Sequence, residues 1–436
     1  MKILKVSTNR GGGASKAADR QAKALRAQDC EVKHLFVKQD WNETSIKIWE
    51  EGTDAFVSAP MADFIKNDLL FQSYLQNNRT TISNTYMSLW RQESPFDDAI
   101  YNYVKDEQFE VVHFHWVANM ISSRLLELLS ELNVSFAFTG HDMNHFTGGC
   151  HYDAQCGEHA NECSNCPLVE KDTFNLINKC HAEKTRAMTE AKPRFIYPSN
   201  WLNDEHQKSK VGQLLGADSS LVLRNCVDID YFAIPSKSEV AEKRSKLGFE
   251  QDEIIVISGA HNNNEIRKGF EHFEYAVKKI NQQRFGANSD LKISFVAFGG
   301  GDHVVECTHP KIRYRHLGFI NESKVRDLFQ VADLLAFTSL EENFANIILE
   351  SLMCATPVLG FNIGGVPDIV EDEVNGKLIK SVDSENFTKG LSKLLLGSDL
   401  QELKKKTEHW SRVNRRKYSE PVIANELIDF YKELRA

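Results

Sequence analysis

Two carboxylates eight positions apart, Glu342 and Glu350, stand in the run Ser339-Leu340-Glu341-Glu342-Asn343-Phe344-Ala345-Asn346-Ile347-Ile348-Leu349-Glu350. The apolar stretch 332–338 before it reads as a buried parallel strand. Pro357 ends the helix that follows, ahead of another strand at 358–361. A strand end, an acidic loop and a helix N-terminus together suit a ligand that carries both hydroxyls and phosphate. The first carboxylate accepts from sugar hydroxyls, amides at the helix start meet phosphate oxygens, and the second carboxylate accepts from a ribose.

Three further groups have matching chemistry. Asn9-Arg10-Gly11-Gly12-Gly13-Ala14 joins the first strand to its helix, and its glycines let backbone amides approach a phosphate or sugar. No Gly-Lys-Ser/Thr follows, which excludes a P-loop. Lys16 breaks the Gly-x-Gly-x-x-Gly pattern and disfavours an ordinary dinucleotide dehydrogenase. Arg267 and Lys268, followed by Gly269 at a helix start, suit a diphosphate, the arginine as a fork and the lysine as a mobile point charge. In isolation the default for the same hexapeptide, 265–270, is a solvated basic turn. His141 ends the buried strand Phe138-Thr139-Gly140. It either projects into a cleft between two domains or is satisfied by backbone.

Nine cysteines in a cytosolic chain should be mostly reduced, and Cys30, Cys180, Cys226, Cys307 and Cys354 read as small core residues. The other four, Cys150, Cys156, Cys163 and Cys166, follow the spacing C-x5-C-x6-C-x2-C. Four thiolates make a candidate structural zinc site that would pin the loop after His141, with His151 or His159 as substitute ligands. Reduced thiols in a self-packed loop, or disulfides in an oxidising compartment, are the alternatives. A catalytic zinc is disfavoured, because four cysteine ligands leave no open position.

These residues need a scaffold. At 436 residues the chain exceeds what one core supports, so two domains are expected. The net charge of -9 argues against a general nucleic-acid binder. No apolar run reaches bilayer length and the N-terminus enters a strand, so a cytoplasmic protein is expected, at most peripheral on the inner face of the cytoplasmic membrane. Strands at 1–6, 32–37, 111–116, 134–139 and 195–198 alternate with helices at 14–28 and 122–132. The pattern restarts with strands at 254–258, 293–298, 332–338 and 358–361 and helices at 270–281, 323–331 and 387–396. The periodicity predicts an α/β chain of two doubly wound, Rossmann-like domains, with ligands beyond the carboxyl ends of the strands. The expected boundaries are 1–228, 229–415 and a C-terminal helix within 416–436, with a hinge near 223–236. Residues 50–105 fit this poorly. The stripe Phe64, Leu69, Leu70, Phe71, Tyr74 and Leu75 reads as an inserted helix packed on the sheet, in preference to a surface for a membrane-bound acceptor.

Taken in order, Gly11 to Ala14, His141, Ser199-Asn200-Trp201, Asn225 to Asp228, Arg267-Lys268-Gly269 and Glu342 to Glu350 resemble the retaining GT-B glycosyltransferases of the group-1 (family 4) class over nearly the whole chain. Within that class, 113–117 and 141–152, with the Cys-x-x-Cys-Pro at 163–167, resemble enzymes of the colanic-acid and exopolysaccharide type. The resemblance implies two domains facing a cleft, the second holding a UDP- or GDP-sugar donor, and a C-terminal helix crossing back to the first. It implies a carbohydrate or lipid-linked glycan acceptor, surface polysaccharide synthesis and no catalytic metal. Arg267 and Lys268 would neutralise the departing diphosphate, Glu350 would bond the ribose, and Glu342 the transferred sugar. Amides of Phe344, Ala345 and Asn346, and those of Gly12 and Gly13, would support sugar and phosphate, with His141 near the reacting face. Asn343 and Ala345 replace glycines common beside that phenylalanine, which leaves the donor sugar open. A nucleotide-sugar-binding subunit without transfer activity is the alternative function.

Overall fold

Each βα series forms its own unit: Met1–Cys226 with Glu420–Ala436, and Val227–Ser419. The computed structural model describes residues 1–8, 12–38, 45–51, 55–60, 70–75, 77–78, 80, 86–282 and 291–436. Asn9, Arg10 and Gly11 of the glycine turn lie outside the described residues, as do Phe64 and Leu69 of the apolar stripe.

The first unit opens with β1 (Lys2–Ser7), α1 (Gly12–Arg26), β2 (Glu31–Lys38), β3 (Ser45–Glu50) and β4 (Ala55–Pro60). It continues through α2 (Asp97–Glu107), β5 (Val111–Phe114), α3 (Ser123–Ser130), β6 (Ser135–Thr139) and α4 (Leu176–Ala191). β7 (Arg194–Tyr197), α5 (Asn200–Lys208), α6 (Lys210–Leu215) and β8 (Ser220–Val222) follow. Its sheet runs β4-β3-β2-β1-β5-β6-β7-β8. From β2 to β8 all neighbours are parallel, whereas β2–β3 and β3–β4 pair antiparallel. The parallel strands are buried on both faces, so they read as near-continuous apolar runs.

The segment 50–105 departs from the expected inserted helix. Its start belongs to the β3–β4 hairpin, a short helical stretch covers 70–75, and its end is α2. Phe71 and Leu75 are buried, but against Cys150, Cys163, Leu168 and Ile177 instead of the sheet. Leu70 stays 63% exposed.

The second unit carries α7 (Lys237–Lys246), β9 (Ile254–Asn262), α8 (Phe270–Gln282), β10 (Ile293–Gly300), β11 (Ile312–His316) and α9 (Glu322–Val331). Then come β12 (Leu334–Phe337), α10 (Asn346–Met353), β13 (Val358–Phe361), β14 (Gly376–Ile379), α11 (Ser384–Leu396) and α12 (Asp399–Asn414). Its sheet, β11-β10-β9-β12-β13-β14, is parallel throughout. The edge strands β11 and β14 escape sequence reading because edges tolerate polar residues such as Arg313, Arg315 and Lys377. The chain then re-enters the first unit as α13 (Glu420–Arg435), which packs on α1 and buries Ile423, Leu427 and Tyr431. Among the described residues, no helix is long and apolar enough to cross a membrane.

One buried carboxylate ties together the amino ends of β9 and β12. Asp333, just before β12, accepts from Arg244 Nη2 at 2.9 Å and from the Ile255 amide at 2.8 Å, and is also bonded by Lys404 of α12. Arg244 adds bonds to the carbonyls of Gln251, Glu253 and Val331. Removing one partner of such a pair strands the other charge, so Asp333→Ala should destabilise the second unit by about 3–5 kcal/mol. Urea unfolding followed by a probe in that unit checks this. A loss below about 1 kcal/mol would mean the cluster contributes little.

Candidate functional site

In the second unit the chemistry gathers where β9 and β12 end. The chain leaving β9 makes a short 3-10 turn, Ile266–Lys268, closed by Gly269 at φ +58°. A Cβ on Gly269 would come within 2.1 Å of the Thr338 carbonyl, so only glycine allows this turn to lie against the end of β12. The Leu340 amide donates to the Arg267 carbonyl at 2.8 Å, and the Thr338 hydroxyl to that of Lys268. This seam brings together side chains about 74 positions apart. Lys268 Nζ donates to Glu342 Oε2 at 2.8 Å, with Arg267 Nη1 3.6 Å from the same oxygen. Arg267 also donates to the Glu341 carbonyl at 2.8 Å and to Glu265 at 2.9 Å.

Burial alone would push the Glu342 carboxyl up. The charges of Lys268 and Arg267, with the Asn343 amide, overcome that and hold it below its ordinary value. It therefore stays ionised among its cations. Asn343, Phe344 and Ala345 are buried in the loop that leads into α10, and Asn346 opens the helix. Ala345 supplies no side-chain cap to the first turn of α10. Glu350 is in the same helix, 4% exposed.

In the first unit, Gly12 and Gly13 form the first turn of α1 where the sequence suggested loop. Gly12 has φ +82° and open space where a Cβ would stand. His141 follows β6 and shares a small hollow with His115, Trp116 and Thr139. Burial lowers its pKa to about 4, partly offset by Asp142, so the ring is neutral near pH 7.

Asp142 organises a second network. Its Oδ2 lies 2.6 Å from His151 Nδ1 and accepts from Trp116 Nε1 at 2.8 Å, while Oδ1 accepts the Asn144 amide. His151 Nε2 is 3.0 Å from Ser88 Oγ. The order Ser-His-Asp matches a hydrolytic triad, yet Ser88 is fully buried, so the set acts as a polar lock and not as a nucleophile. Sequence reading missed this lock and the buried Lys5. The available signal was a lysine inside the apolar strand Ile3-Leu4-Lys5-Val6.

Zinc at the cysteine tract is an expectation from spacing. All four thiols are free, and among the described residues no group of three or more His, Cys, Asp or Glu is arranged to hold a metal. Cys150 and Cys163 instead pack with Phe71, Leu75 and Ile177. Burial raises Cys150 well above its usual range, Cys156 to about 11 and Cys163 to about 12. His159, buried beside them, is held between Asp153 and Glu205 at 3.3 Å each.

A groove of about 560 Å³ opens beside the His141 hollow and shares Leu89, Trp90 and Asn119 with it. Its walls include Leu70, Tyr74, Phe174 and Trp90, with Arg91 and Glu93 as polar lining. Phe174 is 66% exposed.

Residues 239–414 match the family described as Glycosyl transferases group 1. Over 110 residues, the chain is 30% identical to D-inositol 3-phosphate glycosyltransferase of Saccharomonospora viridis, covering 25% of each chain. It is 27% identical over 195 residues to an uncharacterised glycosyltransferase of Methanocaldococcus jannaschii, 43% of this chain and 47% of that one. The chain thus spans from a quarter to just under half the length of these two curated relatives. Among solved structures it is similar to sucrose-phosphate synthase of Thermosynechococcus elongatus, with TM-score 0.65 and 15% identity over 100% of this chain and 99% of that one. It is also similar to HepE of Anabaena in complex with UDP, with TM-score 0.61 and 15% identity over 99% and 100%. At these identities the structures establish the α/β fold of GT-B glycosyltransferases.

The Asp142 lock has a pH signature. Burial opposes its ionised form, but the charge and hydrogen bond of His151 and the Asn144 amide win, leaving its pKa at about 2 against the usual 3.8. A depressed carboxylate stabilises the fold above its unfolded pKa and loses that contribution as pH falls through the folded one. Titration from pH 3.8 to about 2 should therefore remove about 2 kcal/mol of stability. Thermal melts across that window should show a smaller loss in Asp142→Asn. An identical pH dependence in wild type and variant would remove Asp142 from the account.

Proposed function

From the match of residues 239–414 to the group 1 glycosyl transferases, we propose a retaining transferase that moves a sugar from a nucleotide-diphosphate donor to a carbohydrate or lipid-linked glycan. The observation that carries this reading is the convergence of Lys268 and Arg267 on Glu342, beside the amides that open α10. With Glu265 on Arg267 and Glu342 on Lys268 the two cations are balanced at rest, and an entering diphosphate draws them from these carboxylates. HepE, a structural relative, was solved with UDP and with UDP-glucose, which supports a UDP-sugar as the first donor to try.

In this reading Lys268 and Arg267 stabilise charge that develops on the departing diphosphate, the work a metal ion performs in other transferases. Glu342 accepts from hydroxyls of the transferred sugar while remaining ionised, and its bond to Lys268 keeps both groups oriented before the donor arrives. Glu350 accepts from the ribose, and the amides of Phe344 to Asn346 bond phosphate and sugar oxygens. Gly12, Gly13 and His141 bond sugar and phosphate oxygens in this reading. Asn343 and Ala345 narrow the choice of sugar. The acceptor's glycan enters the Trp90 groove toward His141, with the apolar rim at Leu70 and Phe174 suited to an attached lipid.

A panel of UDP-, GDP- and ADP-sugars, read by thermal shift and then by donor hydrolysis and transfer, tests the proposal. Binding and turnover of at least one donor are expected. Binding without turnover would instead indicate a donor-binding subunit, and neither would sink the transferase. Lys268→Ala should lower kcat by roughly a hundredfold or more, and near-normal kcat would take Lys268 out of the diphosphate site. Phe174→Ala should raise the acceptor KM by roughly fivefold to tenfold, more than it changes the donor KM. Equal effects on both would argue against the groove as the acceptor side.

A further inference from the structure

Beneath His141 the first unit buries a line of polar side chains. Lys5, inside β1, is fully buried, with Nζ 2.8 Å from Gln21 Oε1 and 3.0 Å from His115 Nε2. His115, one residue past β5, sets its Nδ1 3.1 Å from Nε2 of His141, and the two rings stack with centroids 5.4 Å apart. An ammonium group has hydrogens to give and no lone pair, so its contact with His115 runs in one direction, from Lys5 to Nε2. A neutral imidazole carries one N–H. With Nε2 accepting, the hydrogen of His115 is on Nδ1 and is donated to Nε2 of His141. The hydrogen of a neutral His141 is then left to Nδ1.

We propose that Lys5 and His115 are positioning residues that hold His141 in one tautomer, with Nε2 occupied as an acceptor and the proton on Nδ1. The surrounding charges allow this near pH 6. Burial lowers Lys5 to about 7, with Cys226 and Asp19 pulling upward and Arg26 downward. His115 is held well below 6.5 by burial and by Lys5, His113, His141 and His34, and His141 is lowered to about 4. At about pH 6 Lys5 is therefore an ammonium and both rings are neutral. His113 does not compete for these bonds, because its nitrogens face the Tyr431 hydroxyl at 2.6 Å and the Thr139 hydroxyl at 2.8 Å.

The tautomer has a consequence that rests on the proposed transfer reaction. His141 meets a sugar as a hydrogen-bond donor, because the nitrogen that would act as a base is already filled. The tautomer itself requires no donor, acceptor or turnover, so its failure and the failure of the transferase reading are separable.

Long-range proton–nitrogen NMR on the full chain carrying isotope-labelled histidine tests it at about pH 6. His141→Gln identifies the His141 signals among the 15 histidines. The wild type should show His141 as a single species protonated on Nδ1, and a proton on Nε2 or a mixture of tautomers overturns the proposal. His115→Gln, whose amide can accept from Lys5 and donate to His141, should retain the Nδ1–H form. His115→Leu and Lys5→Met should lose the single species. If either of these variants melts cooperatively and leaves the His141 spectrum unchanged, His115 and Lys5 do not set it. Should both fail to fold, the wild-type and His115→Gln spectra still decide.

Discussion

The second unit depends on the buried charge of Asp333. A parallel sheet places the amino ends of its strands together, and there Asp333 joins the start of β12 to the start of β9, to α7 through Arg244 and to α12 through Lys404. Fixing one end of two adjacent strands fixes the other. The far ends of β9 and β12 lead to Arg267-Lys268 and to Glu342, and the Leu340–Arg267 backbone bond closes the seam between them. The ion pair that carries the proposed chemistry thus lies at the opposite end of the same two strands from the Asp333 pair. Each buried charge is matched by partners, which is the condition for keeping it ionised in a poorly hydrated place.

The first unit solves a different problem. It buries Lys5, His113 and His115 among apolar strands, where a polar group without partners would be costly. Its answer is a set of bonds running from α1 through β1 and β5 to the end of β6, with Tyr431 of α13 closing one side. Asp142 and His151 lock the adjoining loop in the same way. Both networks leave His141 neutral and held at the edge of a hollow, which matters more to its chemistry than its position in the sequence.

The parallel strands could be read from the sequence because strands covered on both faces must be apolar along their whole length, as at 254–258, 293–298 and 334–337. The edge strands β11 and β14 and the β3–β4 hairpin could not, since an edge needs no such run. The cluster of Arg267, Lys268 and Glu342 was legible as residue types with suitable chemistry, but their convergence on a single oxygen was not. The cysteine spacing pointed to zinc but gave no sign that Cys150 and Cys163 pack with Phe71 and Leu75.

Taken alone, the sequence determined the alternation of strands and helices, the two-domain α/β plan and the set of polar residues at strand ends, because periodicity and burial are properties of local composition. Tertiary structure decided what those residues touch. It set Lys268 and Arg267 on Glu342, gave Asp142 to His151 and Trp116, and threaded Lys5 and His115 behind His141. These contacts join residues 9 to 110 positions apart, and the direction of each hydrogen bond depends on burial and on the neighbouring charge.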